Sequence, residues 1–202
     1  MWDQRYKEQG FAYGTMANDF LKAQALQIPK GGRVLCLAEG EGRNAVFLAQ
    51  QGYVVTAVDQ SATGLKKAQE LALKCGVEIS TVVADLDSYD LGTDAWDGIV
   101  SIAAHVPPSL REKIHAQVIS ALKENGIFIL EAYTIHNIEM SGIGGPPASK
   151  KEFFMSLETL KIELNGLKFI IGDELERHIS EGKYHQGESA VVQVVACKAG
   201  VI

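Results

Sequence analysis

Three cysteines in 202 residues, at positions 36, 75 and 197, are too few and too scattered for a closed disulfide set or a zinc knuckle. No metal site is expected, and a reducing, cytoplasmic setting is. The chain has no basic run of five or more residues and carries a net charge of -6, which excludes an electrostatic grip on nucleic acid. No apolar stretch approaches the length that spans a bilayer. The opening Met1-Trp2-Asp3-Gln4-Arg5-Tyr6-Lys7-Glu8 is too polar to read as a signal peptide. Internal repeats and low-complexity segments are also missing. What remains, 47% hydrophobic and 22% charged, suits a single domain over residues 1–202 with a full core.

The chain is organised around Val34-Leu35-Cys36-Leu37-Ala38-Glu39-Gly40-Glu41-Gly42-Arg43-Asn44-Ala45. A short apolar run breaks into a glycine-spaced turn, and Val46, Leu48 and Ala49 continue at helical spacing. The order reads strand, tight turn, helix. Gly40 and Gly42 let the backbone bend sharply and let a ligand lie close, and the helix start offers unpaired N–H groups to an anionic part of it. Asp59 follows seventeen residues after Gly42, at the end of the apolar run Tyr53 to Val58. In a βαβ nucleotide-binding unit an acid there accepts from ribose hydroxyls, and it can also cap the next helix.

Residues 1–28 mix aromatics and charges (Trp2, Arg5, Tyr6, Phe11, Tyr13) before a helical pattern from Asn18 through Phe20, Leu21 and Leu26 to Ile28-Pro29. They read as a surface helix with a frayed end, or as a lid that folds over the glycine loop. Leu65, Ala68, Ala72 and Cys75 mark the next helix, stopped by Gly76. Ile79 to Ala84 forms a third strand. After it, Asp85 can accept from a purine amino group while the N–H of Leu86 donates to the ring, and Asp87 reads as a turn residue. A fourth strand runs from about Gly98 to Ala104, closed by His105-Val106-Pro107-Pro108. Ser109 and Glu112 suggest a capping box, as do Ser149 and Glu152 ahead of Phe153, Leu157, Leu160 and Leu164. Glu124-Asn125-Gly126 turns into a fifth strand, Ile127 to Ala132. Leu167 to Ile171 and Ala190 to Cys197 read as two late strands joined by a polar connection.

Five alternating βα units followed by a helix and two strands predict an α/β fold. It is a doubly wound, seven-stranded, mostly parallel sheet with helices on both faces and an antiparallel edge. Ligands on such sheets bind at the strand carboxyl ends near the switch in strand order. Gly40, Gly42, Asp59, Asp85 and His105 all fall at those ends.

In Gly40-Glu41-Gly42-Arg43-Asn44, Asp59, Asp85-Leu86, Trp96-Asp97, Leu122-Lys123-Glu124-Asn125-Gly126 and the opening Trp2-Asp3-x-Arg5-Tyr6, the whole chain resembles class I S-adenosylmethionine (SAM) dependent methyltransferases. It is similar to the small bacterial enzymes related to the tellurite-resistance protein and, more distantly, to thiopurine methyltransferase. The resemblance implies a Rossmann-like fold, SAM as cofactor, a small-molecule acceptor and a monomer or weak dimer. It implies cofactor contacts at Trp2, Arg5, Tyr6, Glu39, Gly40, Gly42, Asp59, Gln60, Asp85 and Leu86. Many members carry an acid where this chain has Cys36, which helps to hold the methionine end of the cofactor, and a third glycine at Ala38. Glu39 or Glu41 is open to the acid's role. Two other readings compete: an NAD(P)-dependent oxidoreductase, since Gly40-x-Gly42-x-x-Ala45 with Asp59 suits a dinucleotide, and a non-catalytic SAM-binding protein. No Tyr-x-x-x-Lys pair or separate substrate domain supports the oxidoreductase.

Methyl transfer from a sulfonium depends mostly on alignment and on excluding water. A thiolate, selenol or tellurium oxyanion needs little help with its proton, whereas a hydroxyl or amine needs a general base. His105, at the end of the fourth strand, is the candidate base or else caps the strand. Tyr133 orients an acceptor or packs. Arg43, a cation in the first turn of a helix, calls for an anionic partner: Glu39 or Glu41, the cofactor carboxylate, or an anionic acceptor. His136, His178 and His185 receive no role.

Overall fold

The computed structural model describes residues 2–200; Met1, Val201 and Ile202, which the 1–202 domain and the 1–28 lid include, lie outside the described residues. In chain order the elements are α1 (Trp2–Tyr6), α2 (Asp19–Gln24), β1 (Arg33–Leu37), α3 (Arg43–Gln50), β2 (Val54–Asp59), α4 (Ala62–Lys74) and β3 (Ser80–Val83). They continue with β4 (Trp96–Ile102), α5 (Pro108–Ala121), β5 (Leu122–Tyr133), α6 (Leu157–Glu163), β6 (Lys168–Ser180) and β7 (Gln186–Cys197). Among the described residues the strands form one sheet in the order β3-β2-β1-β4-β5-β7-β6. The first five pair in parallel, and β7 is antiparallel to both β5 and β6.

The central strands are apolar on both faces because both faces are covered. Along β1, Val34 and Cys36 join Phe20 and Leu21 of α2, Leu48 of α3 and Leu65 of α4. Leu35 and Leu37 join Ile114 and Val118 of α5 and Leu160 of α6 on the other side. Each fully buried side chain of this kind contributes about 1.5–3 kcal/mol relative to exposure.

Four local expectations are corrected. The polar stretch after Ile171 is strand, not connection: β6 and β7 pair from Lys168–Cys197 to Ser180–Gln186, one long hairpin with polar residues on its exposed positions. Its alternation of polar and apolar residues is weak, so residue type alone pointed to a loop. Between β3 and β4 the chain passes through turns with no helix, so the βα alternation is interrupted once. Neither expected capping box caps: α5 starts at Pro108 behind Pro107 without a side-chain cap, and α6 is capped by Ser156, whose Oγ accepts from Thr159 N–H. Leu26 is exposed rather than part of a buried helical face.

One buried polar cluster joins elements far apart in sequence. Asn18 caps α2 through its Oδ1, and its Nδ2 donates to Glu131 of β5 (2.7 Å) and to Glu181 just past β6 (2.9 Å). Arg177 of β6 bridges the same two carboxylates, at 2.9 Å and 2.8 Å. Arg43, at the start of α3, meets the second oxygen of Glu181 at 2.6 Å. Burial pushes the Glu181 carboxyl up, but Arg43 and Arg177 outweigh it and hold it below its usual range. Two cations thus face two anions with shared hydrogen bonds, the condition under which buried ion pairs persist.

Removing one partner leaves a charge buried and unmatched. Glu181→Gln is expected to destabilise the fold by about 3–5 kcal/mol in urea unfolding. Because the folded carboxyl has the depressed pKa, its contribution is present above about pH 4.5 and is lost as pH falls through the folded value. The difference between native and variant stability should therefore shrink below pH 4.5. An equal difference at pH 7 and pH 3 would show that Glu181 does not act through its charge.

Candidate functional site

A cavity of about 740 Å³ opens at the carboxyl ends of β1, β2 and β4. It lies beside the β1–β4 neighbour pair, where the strand order reverses. The glycine-spaced loop forms one wall. Ala38, Gly40 and Gly42 take φ of 49°, 61° and 88°, so the turn uses the left-handed region three times in five residues. Ala38 does so despite its Cβ, a strained choice for a non-glycine residue.

The two glycines make room chiefly for the protein itself. A Cβ on Gly42 would lie 2.7 Å from Cα of Ala68, so the missing side chain lets α4 dock against the loop. A Cβ on Gly40 would stand 2.5 Å from the Tyr6 hydroxyl, and one on Gly64 2.9 Å from the same ring. Tyr6 fills a notch between two glycines. At both glycines the space a Cβ would take is filled by protein.

The acids divide their work. Asp59 accepts from Gly40 N–H at 2.9 Å and Ser61 N–H at 2.8 Å, one bond to each oxygen, and burial raises its pKa. Glu41 is turned away to the N-terminal segment, accepting from Ala12 N–H and pairing with Lys67. Glu39 takes the N–H groups of Asn44 (2.9 Å) and Ala45 (2.8 Å) on Oε1, capping α3 in place of a bound anion. Its Oε2 has no partner among the described residues. Burial raises Glu39 to about pKa 7, although the Ala45 and Asn44 amides and Arg43 pull it down. Cys36 is buried in the core, its thiol pushed up by desolvation, and cannot replace an acid at the site.

Gln60, Asp85 and Leu86 continue the wall from β2 and β3. Asp85 accepts from Asp87 N–H in a tight turn, and Leu86 N–H has no protein partner among the described residues. Across the opening lies the N-terminal strap. Asp3 accepts from the Ser61 hydroxyl, Arg5 donates to Tyr13 at 2.8 Å, and Glu8 meets Lys183 and Tyr184 at the tip of the β6–β7 hairpin. Trp2, Arg5, Tyr6 and Tyr13 all line the cavity. Residues 17–28 belong to the core through Phe20, Leu21, Ala25 and Ile28, so only the first half of the 1–28 segment covers the opening.

Of the residues expected to handle the acceptor, two are used for structure. His105 stands on the wall, but Nδ1 contacts the Phe153 carbonyl at 2.9 Å and Nε2 accepts from Tyr133 N–H at 3.1 Å. Both nitrogens are consumed by backbone, and burial lowers its pKa to about 4. It pins the β4 and β5 ends to the 150s loop and has no lone pair for a substrate. Tyr133 is not on the wall; its ring packs under Gly144 and Gly145, and its hydroxyl has no partner among the described residues. Arg43 lines the cavity yet pairs with Glu181, none of the three anions expected for it.

His185 was missed. It sits in the hairpin turn between β6 and β7, lines the cavity, and packs tilted against Tyr13 (centroids 4.5 Å apart) and edge-on against Tyr133 (5.4 Å). Among the described residues neither of its ring nitrogens has a hydrogen-bond partner. Its neighbours Lys183, Tyr184 and Gln186 are polar, so nothing local in the sequence marks it out. Among the described residues no cluster of three or more His, Cys, Asp or Glu side chains could hold a metal ion, and no helix is long and apolar enough to cross a membrane.

Residues 34–126 match the family described as "Methyltransferase domain". The chain is 35% identical over 101 residues to the uncharacterized methyltransferase YbaJ of Bacillus subtilis (strain 168), covering 50% of this chain and 40% of that protein. It therefore spans about two fifths of that relative's length. Among solved structures it is similar to TehB from Haemophilus influenzae, with a TM-score of 0.72 and 20% identity over 91% of this chain and 62% of that one. A SAM-dependent methyltransferase from Methanosarcina mazei gives a TM-score of 0.69 and 16% identity over 91% of this chain and 99% of that one. At these identities the structures speak for the fold.

The glycine notch yields a direct test. Gly40→Ala places a Cβ against the Tyr6 hydroxyl at a positive φ, so the ring must leave. Amide exchange over residues 2–13 is expected to rise at least tenfold while β1, β4 and β5 stay protected. Unchanged exchange over the strap would mean that Tyr6 does not hold it down.

Proposed function

We propose that this chain, which carries a methyltransferase domain over residues 34–126 on a class I fold, uses SAM to methylate a small-molecule thiol. The observation that supports the cofactor best is Glu39. A carboxylate with a raised proton affinity and an unpartnered Oε2 on a cavity wall is a receptor for a cation. The methionine end of SAM is cationic at both its ammonium and its sulfonium. Glu39 would hold that end, in place of the acid replaced by Cys36. Asp59 retains lone pairs for ribose hydroxyls beside its two amide bonds, and Asp85 with Leu86 N–H would hold the adenine edge. When bound, the cofactor supplies a methyl group on a positively charged sulfur.

The protein's own part is alignment and dryness. Trp2, Tyr6 and Tyr13 cover the opening, and water exclusion strengthens every charge interaction inside. The far wall, with Ile102, Val106, Leu110, Pro146, Pro147 and Phe153, favours an acceptor with an apolar body and a soft nucleophile. An oxyanion of selenium or tellurium has weaker support, because Arg43 is already neutralised by Glu181. Thiol is therefore preferred among the soft acceptors.

Calorimetry with S-adenosylhomocysteine, the demethylated product, checks the cofactor. Binding without measurable NAD binding is expected, and Asp59→Ala should weaken it by about 1.5–3 kcal/mol. Affinity should fall as pH drops below about 7, where Glu39 takes up a proton, and Glu39→Gln should bind more weakly and lose that pH dependence. Tight NAD binding with no nucleoside product bound would overturn the reading.

A further inference from the structure

We propose that His185 receives the acceptor's proton, so that the acceptor enters this site as a neutral, protonated nucleophile of the thiol class and not as a preformed anion. The inference rests on the methyltransferase reading and adds to it which form of acceptor the site takes and where its proton goes.

Of the histidines, His105 and His185 line the cavity. His105 has given both nitrogens to backbone groups, whereas His185 has given neither. Its ring lies between Tyr13 of the strap and Tyr133 of β5, so it is oriented by tilted and edge-on aromatic contacts that leave its nitrogens unspent. The groups around it come from every side. Arg43 enters from α3, Arg5 from α1, His105 from the end of β4 and Glu181 from its own hairpin turn. Burial comes first, and Arg43, His105 and Arg5 add to it against Glu181, lowering the imidazole to about pKa 3. The ring is thus neutral at every pH near 7, and its lone pair is always available.

A base this weak would not ionise a resting thiol, whose pKa is about 8.5. It does not need to. As the acceptor's lone pair forms the new bond to carbon, the carbon–sulfur bond on the donor breaks and its electron pair stays on that sulfur. The acceptor sulfur then carries a positive charge and a proton far more acidic than that of a free thiol. That proton passes to a nitrogen of His185, leaving a neutral methyl thioether, and the imidazolium sheds it to solvent. Two neighbouring arginines make a lasting charge on the ring unfavourable, so the proton does not stay.

The test uses the full chain, two probe thiols and His185→Phe, which keeps a ring between Tyr13 and Tyr133 but removes both nitrogens. One probe is an alkyl thiol, protonated at pH 6.5; the other is a nitro-substituted aromatic thiol, already a thiolate there. The variant is expected to bind S-adenosylhomocysteine as the unaltered protein does. It should lose roughly 100-fold in kcat on the alkyl thiol at pH 6.5 and regain it with unit slope as pH rises towards the thiol's pKa. The aromatic thiolate should be methylated within about threefold of the unaltered rate. Added imidazole should restore part of the alkyl-thiol activity. As a readout independent of turnover, the His185 ring signals should shift in NMR when the alkyl thiol joins the protein–product complex. A flat, unaltered pH profile in the variant, or equal losses on both probes, would overturn the inference alone. Failure of the unaltered protein to bind S-adenosylhomocysteine would overturn the methyltransferase reading beneath it, a distinct result.

Discussion

The contact on which the rest depends is the pairing of Arg43 with Glu181. It spans 138 positions of sequence, from the first turn of α3 to the turn that closes the β6–β7 hairpin. A cation at a helix N-terminus opposes the helix dipole by a few tenths of a kcal/mol. Here the cation faces a buried carboxylate at 2.6 Å, and removing either partner would leave a buried charge unmatched. The same carboxylate holds Arg177 and Asn18, and through Asn18 the start of α2. The glycine loop, the hairpin and the root of the N-terminal strap are thereby fixed to one another, and the cavity is the space they enclose.

The strap itself is held differently. Glu8 pairs with Lys183 in an exposed ion pair that salt screens, and Asp3 accepts from the Ser61 hydroxyl near the surface. Tyr6 in its two-glycine notch is the buried anchor. A rigid floor and a weakly latched cover suit a cavity that opens to take in a ligand and then closes against water.

The fold and the strand-end half of the cavity wall were largely legible in the sequence, because their signals are local. Apolar runs placed β1, β2, β4 and β5, glycine spacing placed the turn, and Asp59 and Asp85 stand at the ends of their strands. The wall that carries the histidines was not legible. Whether His105 or His185 has a free nitrogen depends on the Phe153 carbonyl and the Tyr133 amide, 48 and 28 residues from His105. Arg43 was correctly singled out as needing an anion, but its partner lay in a polar stretch read as a connection. Ser109 and Ser149 have capping-box spacing, yet neither box forms: α5 begins at Pro108 and α6 takes its cap from Ser156. Sequence spacing reports what is possible within a turn or two of chain; the hairpin's role is set by contacts far beyond that reach.

The turn between β6 and β7 carries Glu181, Lys183, Tyr184 and His185 within five positions. All of them lie outside residues 34–126, the stretch shared with the methyltransferase domain family. The turn therefore reaches the cavity from outside that stretch, as Trp2, Arg5 and Tyr6 do, while Ile102, Val106 and Leu110 reach it from within. The turn touches the glycine loop through Glu181, the N-terminal strap through Lys183 and Tyr184, and the cavity wall through His185, so a change there acts on all three at once.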